Sequence, residues 1–343
     1  MGISIRIKSI AANIFEKFGI IEYLMDRYSK NNFVILMYHR VVPAEEMKPC
    51  IEAGMYVDPD TFDRHIRYLK KHFIISPLSE VENYLEGAFP SKRRPVCILT
   101  FDDGWSDFYT NAYPVLCNHG ASATVFLPTK FIDSNDEFWT DSLSRLCHGR
   151  DPGAVRRNII GFSHPIIDLL ESGNGSMEAR LERSIESMKA LPEEEIHCIL
   201  DGLRERWGIN PLPQSRDFLT WDEVREMHRS GLVSFGSHTE THRILTTLTD
   251  DEIVLELRRS KKRLAEEGVA GSSFSPFAYP NGNHSDGIMR TVKQNGYSLA
   301  VTTRKGWIGY SDGEKAFQLN RIGIHQDVAS TDALFGCRIV RIL

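Results

Sequence analysis

The chain has 343 residues, 41% of them hydrophobic and 25% charged, enough apolar content to bury one large core or two modest ones and too much for large-scale disorder. Its formal charge of -5 supplies no overall basic field. Lys8, Arg93 with Arg94, and Arg258 to Arg263 read as solvated faces, so no nucleic-acid partner is expected.

Residues 1–32 repeat Ile10, Ile14, Phe15, Phe18, Ile21, Leu24, Met25 and Tyr28 at helical period among Lys8, Lys17 and Arg27, which predicts one amphipathic helix. Packing on the body of the protein is its first reading. Peripheral contact with a membrane is the second, because the polar face mixes both signs. The stretch lacks the apolar run and small-residue cleavage site of a secretory signal, and no segment reaches bilayer-spanning length. A cytoplasmic or inner-membrane-associated location is therefore expected.

From residue 33 short apolar runs take over: FVILMYH (33–39), VCILTFDD (96–103), ATVFLP (123–128), LVSFGSH (232–238), FAYP (277–280) and SLAVTT (298–303). These read as buried strands. Helical segments separate them, at 59–72, 78–85, 221–230 and 250–267, and the alternation argues for a parallel α/β sheet. Thr249 and Glu252 form the signature of a capping box at the start of the last of these helices, and Gly268 marks its stop. Residues 142–215 break the rhythm with helix-rich sequence and read as a helical insertion. The six cysteines, Cys50, Cys97, Cys117, Cys147, Cys198 and Cys337, lack Cys-x-x-Cys or Cys-His spacing and read as buried free thiols.

Thr100-Phe101-Asp102-Asp103-Gly104 places two carboxylates at the carboxyl end of a strand, where parallel α/β folds keep their sites. Successive strand residues point to opposite sides, so a turn at Gly104 is needed to bring both into one pocket. A second strand runs into His238-Thr239-Glu240-Thr241-His242, whose imidazoles, four residues apart, face the same way if the segment makes a helical turn. One carboxylate and two imidazoles suit Zn²⁺, with Co²⁺, Ni²⁺ or Fe²⁺ as substitutes, and leave a position open for water. The other carboxylate then serves as general base.

TFDDG followed by His-x-x-x-His resembles the first two motifs of the NodB-homology polysaccharide deacetylases, over roughly residues 33–325. The resemblance implies a distorted (β/α) barrel carrying the helical insertion, with 33–343 as catalytic domain. It makes Asp102 the general base and Asp103, His238 and His242 the metal ligands. ILMYHRV (35–41), FWTD (138–141), LTWDEVREMHRSGLVSFGSHTETH (219–242) and FAYPNG (277–282) are similar to the branch containing poly-N-acetylglucosamine deacetylases, in which an N-terminal histidine is the general acid. That assigns the role to His39, with His325 in RIGIH as competitor. The third motif departs from the commoner Arg-x-Pro-Tyr-Gly form, since Ala278 replaces its arginine and Asn281 its tyrosine. Arg321 is the candidate replacement partner for Asp102, and the backbone N–H of Asn281 the candidate oxyanion donor.

The implied reaction is metal-dependent removal of N-acetyl groups from an N-acetylhexosamine polysaccharide or glycan precursor. The alternatives are a non-polymeric acetylated substrate or a catalytically silent carbohydrate-binding protein. Trp139, Trp221 and Trp307 are candidates to line a sugar groove, Trp139 first.

Overall fold

The computed structural model describes residues 3–29, 31–46, 54–91, 94–149, 163–209, 216–270, 274–310 and 315–343. Cys50, Arg93 and residues 150–162 and 210–215 of the expected insertion lie outside them. Cys97, Cys147 and Cys337 are buried free thiols as expected, whereas Cys117 and Cys198 are free but exposed. The chain divides by contact into two compact units, one drawn from Met1–Glu46, Ala53–Ser134 and Phe218–Leu343, the other from Asn135–Asp217.

The first unit opens with α1 (Ile3–Lys17) and α2 (Ile20–Ser29), where the periodicity predicts one helix. Gly19, at φ 69°, ends the first of them in the left-handed conformation that glycine adopts without steric cost. There follow β1 (Asn32–Tyr38), the mutually paired β2 (Arg40–Val41) and β3 (Tyr56–Val57), α3 (Pro59–His72) and β4 (Ile74–Ile75). Next come α4 (Val81–Leu85), β5 (Val96–Phe101), α5 (Tyr113–His119) and β6 (Ala123–Leu127).

Helices α6 (Trp139–Gly149), α7 (Pro165–Ser172), α8 (Met177–Met188) and α9 (Glu193–Trp207) form the second unit around its own apolar core, with Leu143, Leu170, Ile185 and Leu203 at its centre. The first unit resumes with α10 (Trp221–Arg229), β7 (Val233–Ser237), α11 (Asp250–Glu266), β8 (Pro276–Ala278) and α12 (Asp286–Gln294). It ends with β9 (Leu299–Val301), β10 (Ile308–Gly309), β11 (Ile322–Gly323), α13 (Gln326–Ala329) and α14 (Asp332–Val340).

Local chemistry sets these boundaries. Asp58 caps α3 by accepting from the Asp60 N–H, Pro59 fits the first turn, and Lys70, Lys71 and His72 complement the dipole at its other end. Both halves of the Thr249/Glu252 capping box are made in α11. A second box, Thr220 with Glu223, starts α10 and holds the helix that precedes β7.

β1, β5, β6, β7, β8 and β9 lie side by side in parallel, in that order. The outer edge of β1 is shared, with β10 pairing antiparallel at residues 32–33 and β11 parallel at 36–37. Leu319 bridges Val301 of β9 three residues before β11 begins, so the segment 319–323 joins the two edges and closes the sheet into a distorted barrel. All six residues of β5 are buried, as expected of a strand covered on both faces.

Period-two alternation then decides what faces inward. Phe33, Ile35, Val96, Ile98, Phe126, Ala278, Leu299, Val301 and Leu319 form one buried cluster, joined by Val81, Tyr84 and Leu85 of α4. Two residues beyond Ile98 and Leu319 on the same faces come Thr100 and Arg321, and two further along the first of these comes Asp102. The apolar barrel interior thus leads at its carboxyl end into charged side chains. Phe277, Tyr279 and Ala300 face outward and pack with Leu257 of α11 and Val292 of α12.

Candidate metal centre

Arg321 and Asp102 meet where the closing segment crosses the end of β5. Nη1 and Nη2 of Arg321 donate to Oδ1 and Oδ2 of Asp102 at 2.6 and 2.7 Å, a two-pronged grip that fits the plane of a carboxylate. Its Nη1 also donates to Thr100 Oγ1 at 3.2 Å and its Nε to the Thr302 carbonyl at 2.9 Å, so the guanidinium, 0% exposed, is held from three directions. Burial works to raise the Asp102 pKa, but Arg321 and His238 outweigh it and hold the carboxyl below its ordinary value. Asp102 is therefore an ionised, immobilised carboxylate at neutral pH.

Asp103 is turned away from this pair. It has φ 77° and Gly104 φ 66°, so the expected turn begins one residue earlier than Gly104. A Cβ at Gly104 would lie 2.7 Å from Leu127 Cδ2, which only glycine avoids. Asp103 Oδ1 faces Nε2 of His242 at 3.2 Å and Nε2 of His238 at 3.5 Å. Its Oδ2 accepts from the Trp105 indole N–H at 3.1 Å. Burial opposes ionisation here too, yet the two imidazoles keep Asp103 well below the usual carboxylate range.

Asp103, His238 and His242 offer one oxygen and two nitrogens, all within 4.8 Å of one another. His238 Nδ1 lies 2.8 Å from the Ala278 carbonyl, so it carries the proton and presents the Nε2 lone pair to the cluster. These donors fit a divalent cation. Burial disfavours a charged His238, but Asp103 and Asp102 raise its pKa above the ordinary value, as expected where two carboxylates face one site.

The histidines do not converge through a helical turn, as their spacing suggests. Residues 238–242 form a loop in which Thr239 and His242 both have positive φ, 66° and 61°. Glu256 of α11 holds it: one carboxylate oxygen accepts from the Glu240 and Thr241 N–H groups at 2.8 and 2.9 Å, the other from the Thr241 hydroxyl. Thr129 and Lys130 donate their N–H groups to the carbonyls of Thr239 and Glu240 from the neighbouring strand end.

His39 follows β1 and is influenced by Asp103, Asp102, Arg321 and His238, with burial pulling its pKa down against the pull of the two carboxylates. His325 is lowered by burial and then Arg338, and is reached by His39. The two candidate acids are neighbours, and His39 is the one that both carboxylates influence. Asn281, at φ 57°, sits in the turn after β8, with its side chain donating to Asn283 at 3.1 Å and its carbonyl accepting from the Thr303 hydroxyl at 3.4 Å.

Each of the three candidate tryptophans makes packing contacts. Trp139 packs on the core of the helical unit, Trp221 lies under the Arg263 guanidinium at 5.0 Å, and Trp307 stacks on Tyr28 at 5.5 Å. Trp105, which belongs to no motif of the sequence, supports the centre. It is 4% exposed, stacks on Phe218 and carries the Arg40 guanidinium 4.4 Å above its ring, while Arg40 Nε donates to Asp107 at 2.8 Å. Glu256, which holds the 238–242 loop, belongs to no motif either. A carboxylate beside Ile253, Leu257 and Leu264 on the apolar face of a helix was its one available signal.

The sequence profile of the polysaccharide deacetylase family matches residues 90–300. YxkH of Bacillus subtilis is 22% identical over 291 residues, covering 84% of this chain and 70% of that protein. The poly-beta-1,6-N-acetyl-D-glucosamine N-deacetylase of Staphylococcus epidermidis is 36% identical over 120 residues, 32% of this chain and 40% of that protein. Among solved structures, the Streptococcus pyogenes deacetylase PplD in complex with acetate shares the fold with a TM-score of 0.56 at 23% identity, over 89% of this chain and 97% of that one.

Proposed function

Since the chain belongs to the polysaccharide deacetylase family, and is thereby a hydrolase of non-peptide carbon–nitrogen bonds, we propose that it removes N-acetyl groups from an N-acetylglucosamine polymer with one divalent ion held by Asp103, His238 and His242. The polymer is supported by the name of the staphylococcal relative. The mixed nitrogen and oxygen donors favour Zn²⁺, with Co²⁺, Ni²⁺ or Fe²⁺ as functional substitutes. The observation that carries the reading is a three-donor cluster beside a carboxylate that Arg321 keeps ionised.

When bound, the ion polarises the acetamide carbonyl and lowers the pKa of water. Asp102 accepts the proton of the attacking water, its ionised state and orientation set by Arg321. His39, which both carboxylates influence, gives a proton to the departing amine. Trp105 and the Ala278 carbonyl keep Asp103 and His238 aimed at the same point. The products are acetate and a free amino sugar, and the Asn281 N–H is the proposed oxyanion donor.

Acetate release from N-acetylglucosamine oligomers, measured with added Zn²⁺ or Co²⁺ and after chelation, tests the proposal. Asp102→Asn should reduce the rate by roughly 10²–10⁴-fold while the protein still binds one equivalent of metal. Release that survives chelation would overturn the metal assignment. Loss of metal binding in Asp102→Asn, with metal retained in Asp103→Asn, would reverse the roles of the two aspartates.

A further inference from the structure

The described residues include ten exposed large hydrophobic side chains, and seven of them lie between Ile7 and Tyr28. Ile7, Ile10 and Ile14, 61%, 62% and 47% exposed, form one row along α1, and Phe18 at 72% extends it into the turn before α2. Ala12, Ile21 and Met25 bury the inner side of the same helices against the unit. A row of this kind on an otherwise ordinary surface marks a contact site.

The charges beside the row favour one kind of partner. Lys305 is pushed below its ordinary pKa by Arg338 first, then by burial, Arg341 and Lys8, so four cations from α1, α14 and the segment after β9 crowd together. The acids of the region, Glu16, Glu22 and Asp332, are grouped with one another, near Lys71. Arg338 and Lys305 also act on His325, so the cationic patch reaches toward the rim of the site. A second copy of the chain would need roughly 800 Å² and 20–30 residues per side, which this narrow row does not offer.

We propose that α1 and α2 seat the protein on an anionic phospholipid surface, with Ile7, Ile10, Ile14 and Phe18 entering the interface and Lys8, Lys305 and Arg341 on the headgroups. No helix among the described residues is long and apolar enough to cross a membrane, so the contact is peripheral. The inference is independent of the deacetylase reading.

The full chain should co-sediment with phosphatidylcholine vesicles containing phosphatidylglycerol, more weakly as salt rises, and less with phosphatidylcholine alone. Two double variants, Ile10→Glu/Ile14→Glu and Lys8→Glu/Lys305→Glu, should each lose roughly tenfold or more in apparent vesicle affinity, with the thermal midpoint of the wild type as proof of folding. Equal binding to both vesicle types, or binding retained by the isoleucine variant, overturns the proposal. So does a dimer in sedimentation velocity that the isoleucine variant abolishes while no form binds vesicles, since a second copy then covers the row.

Discussion

The carboxyl end of the barrel and the outer face of α1 depart from the usual partition of polar and apolar groups in opposite directions. At the barrel end Asp102, Asp103 and Arg321 are buried, 3%, 3% and 0% exposed, and each is met by fixed partners. Along α1 the large apolar side chains stand in solvent. Buried charge endures only where its partners are already in place, whereas exposed apolar surface costs the fold little. A disturbance at the barrel end should therefore cost both stability and rate, and one on α1 neither.

The largest effect is expected at Arg321. Replacing it with Met leaves Asp102 buried without a counter-charge, which should cost about 3–5 kcal/mol of stability in denaturant unfolding. The Asp102 pKa should rise, since the group that holds it down is gone, and the acidic limb of the kcat/KM profile should move to higher pH. Arg321→Lys, which keeps charge without the two-pronged geometry, should lie between. An unshifted acidic limb in a folded Arg321→Met protein would remove Asp102 from the base role.

Trp105→Phe keeps the ring and deletes only the N–H that Asp103 Oδ2 accepts. Metal affinity, read by chelator competition, should fall about 10–100-fold with little change in fold. Unaltered affinity would mean that the turn at Asp103 and Gly104 aims the carboxylate alone.

His65 tests buried polarity away from the site. It stacks on Phe335 at 3.9 Å, donates from Nε2 to the Ala329 carbonyl and accepts from the Tyr38 hydroxyl. Burial pushes its pKa down to about 3. The unfolded chain therefore binds a proton that the folded one refuses, from about pH 6.5 downward. Stability is complete above that pH and falls as pH drops, by about 2 kcal/mol between pH 7 and pH 5. Comparing unfolding of wild type and His65→Gln at both pH values separates this effect from the ligand histidines, and equal slopes would assign the acid sensitivity elsewhere.

How far the sequence discloses each region follows from how local its determinants are. Asp102 and Asp103 stand at the end of a continuous apolar run, and Thr249 with Glu252 announces its helix within four residues, so both are legible. The His238 and His242 spacing points to the right pair through the wrong geometry, because the left-handed residues Thr239 and His242 have no pattern that spacing reveals. Arg321 reaches Asp102 across 219 residues only because the segment 319–323 closes the barrel, and resemblance to a family motif with a missing arginine was its sole clue. Trp105 and Glu256 act through contacts that appear only once the strand ends and α11 are packed. Gly19 was hidden by apolar periodicity that runs on through the break.

The smallest effect sharpens the comparison most. Ile10 and Ile21 are the same residue type on consecutive helices, 62% and 1% exposed, and Ile21 lies against Gly336 of α14, where an added Cβ would come within 2.9 Å of its methyl. Ile21→Ala should cost about 2–5 kcal/mol, the transfer term plus the cavity it leaves. Ile10→Ser should stay within about 0.5 kcal/mol of wild type, as surface changes do. Denaturant midpoints of both variants at low protein concentration make the measurement. If Ile10→Ser costs as much as Ile21→Ala, the outer row of α1 is already covered in the dilute protein by another part of the chain, and it is no longer available to a lipid surface.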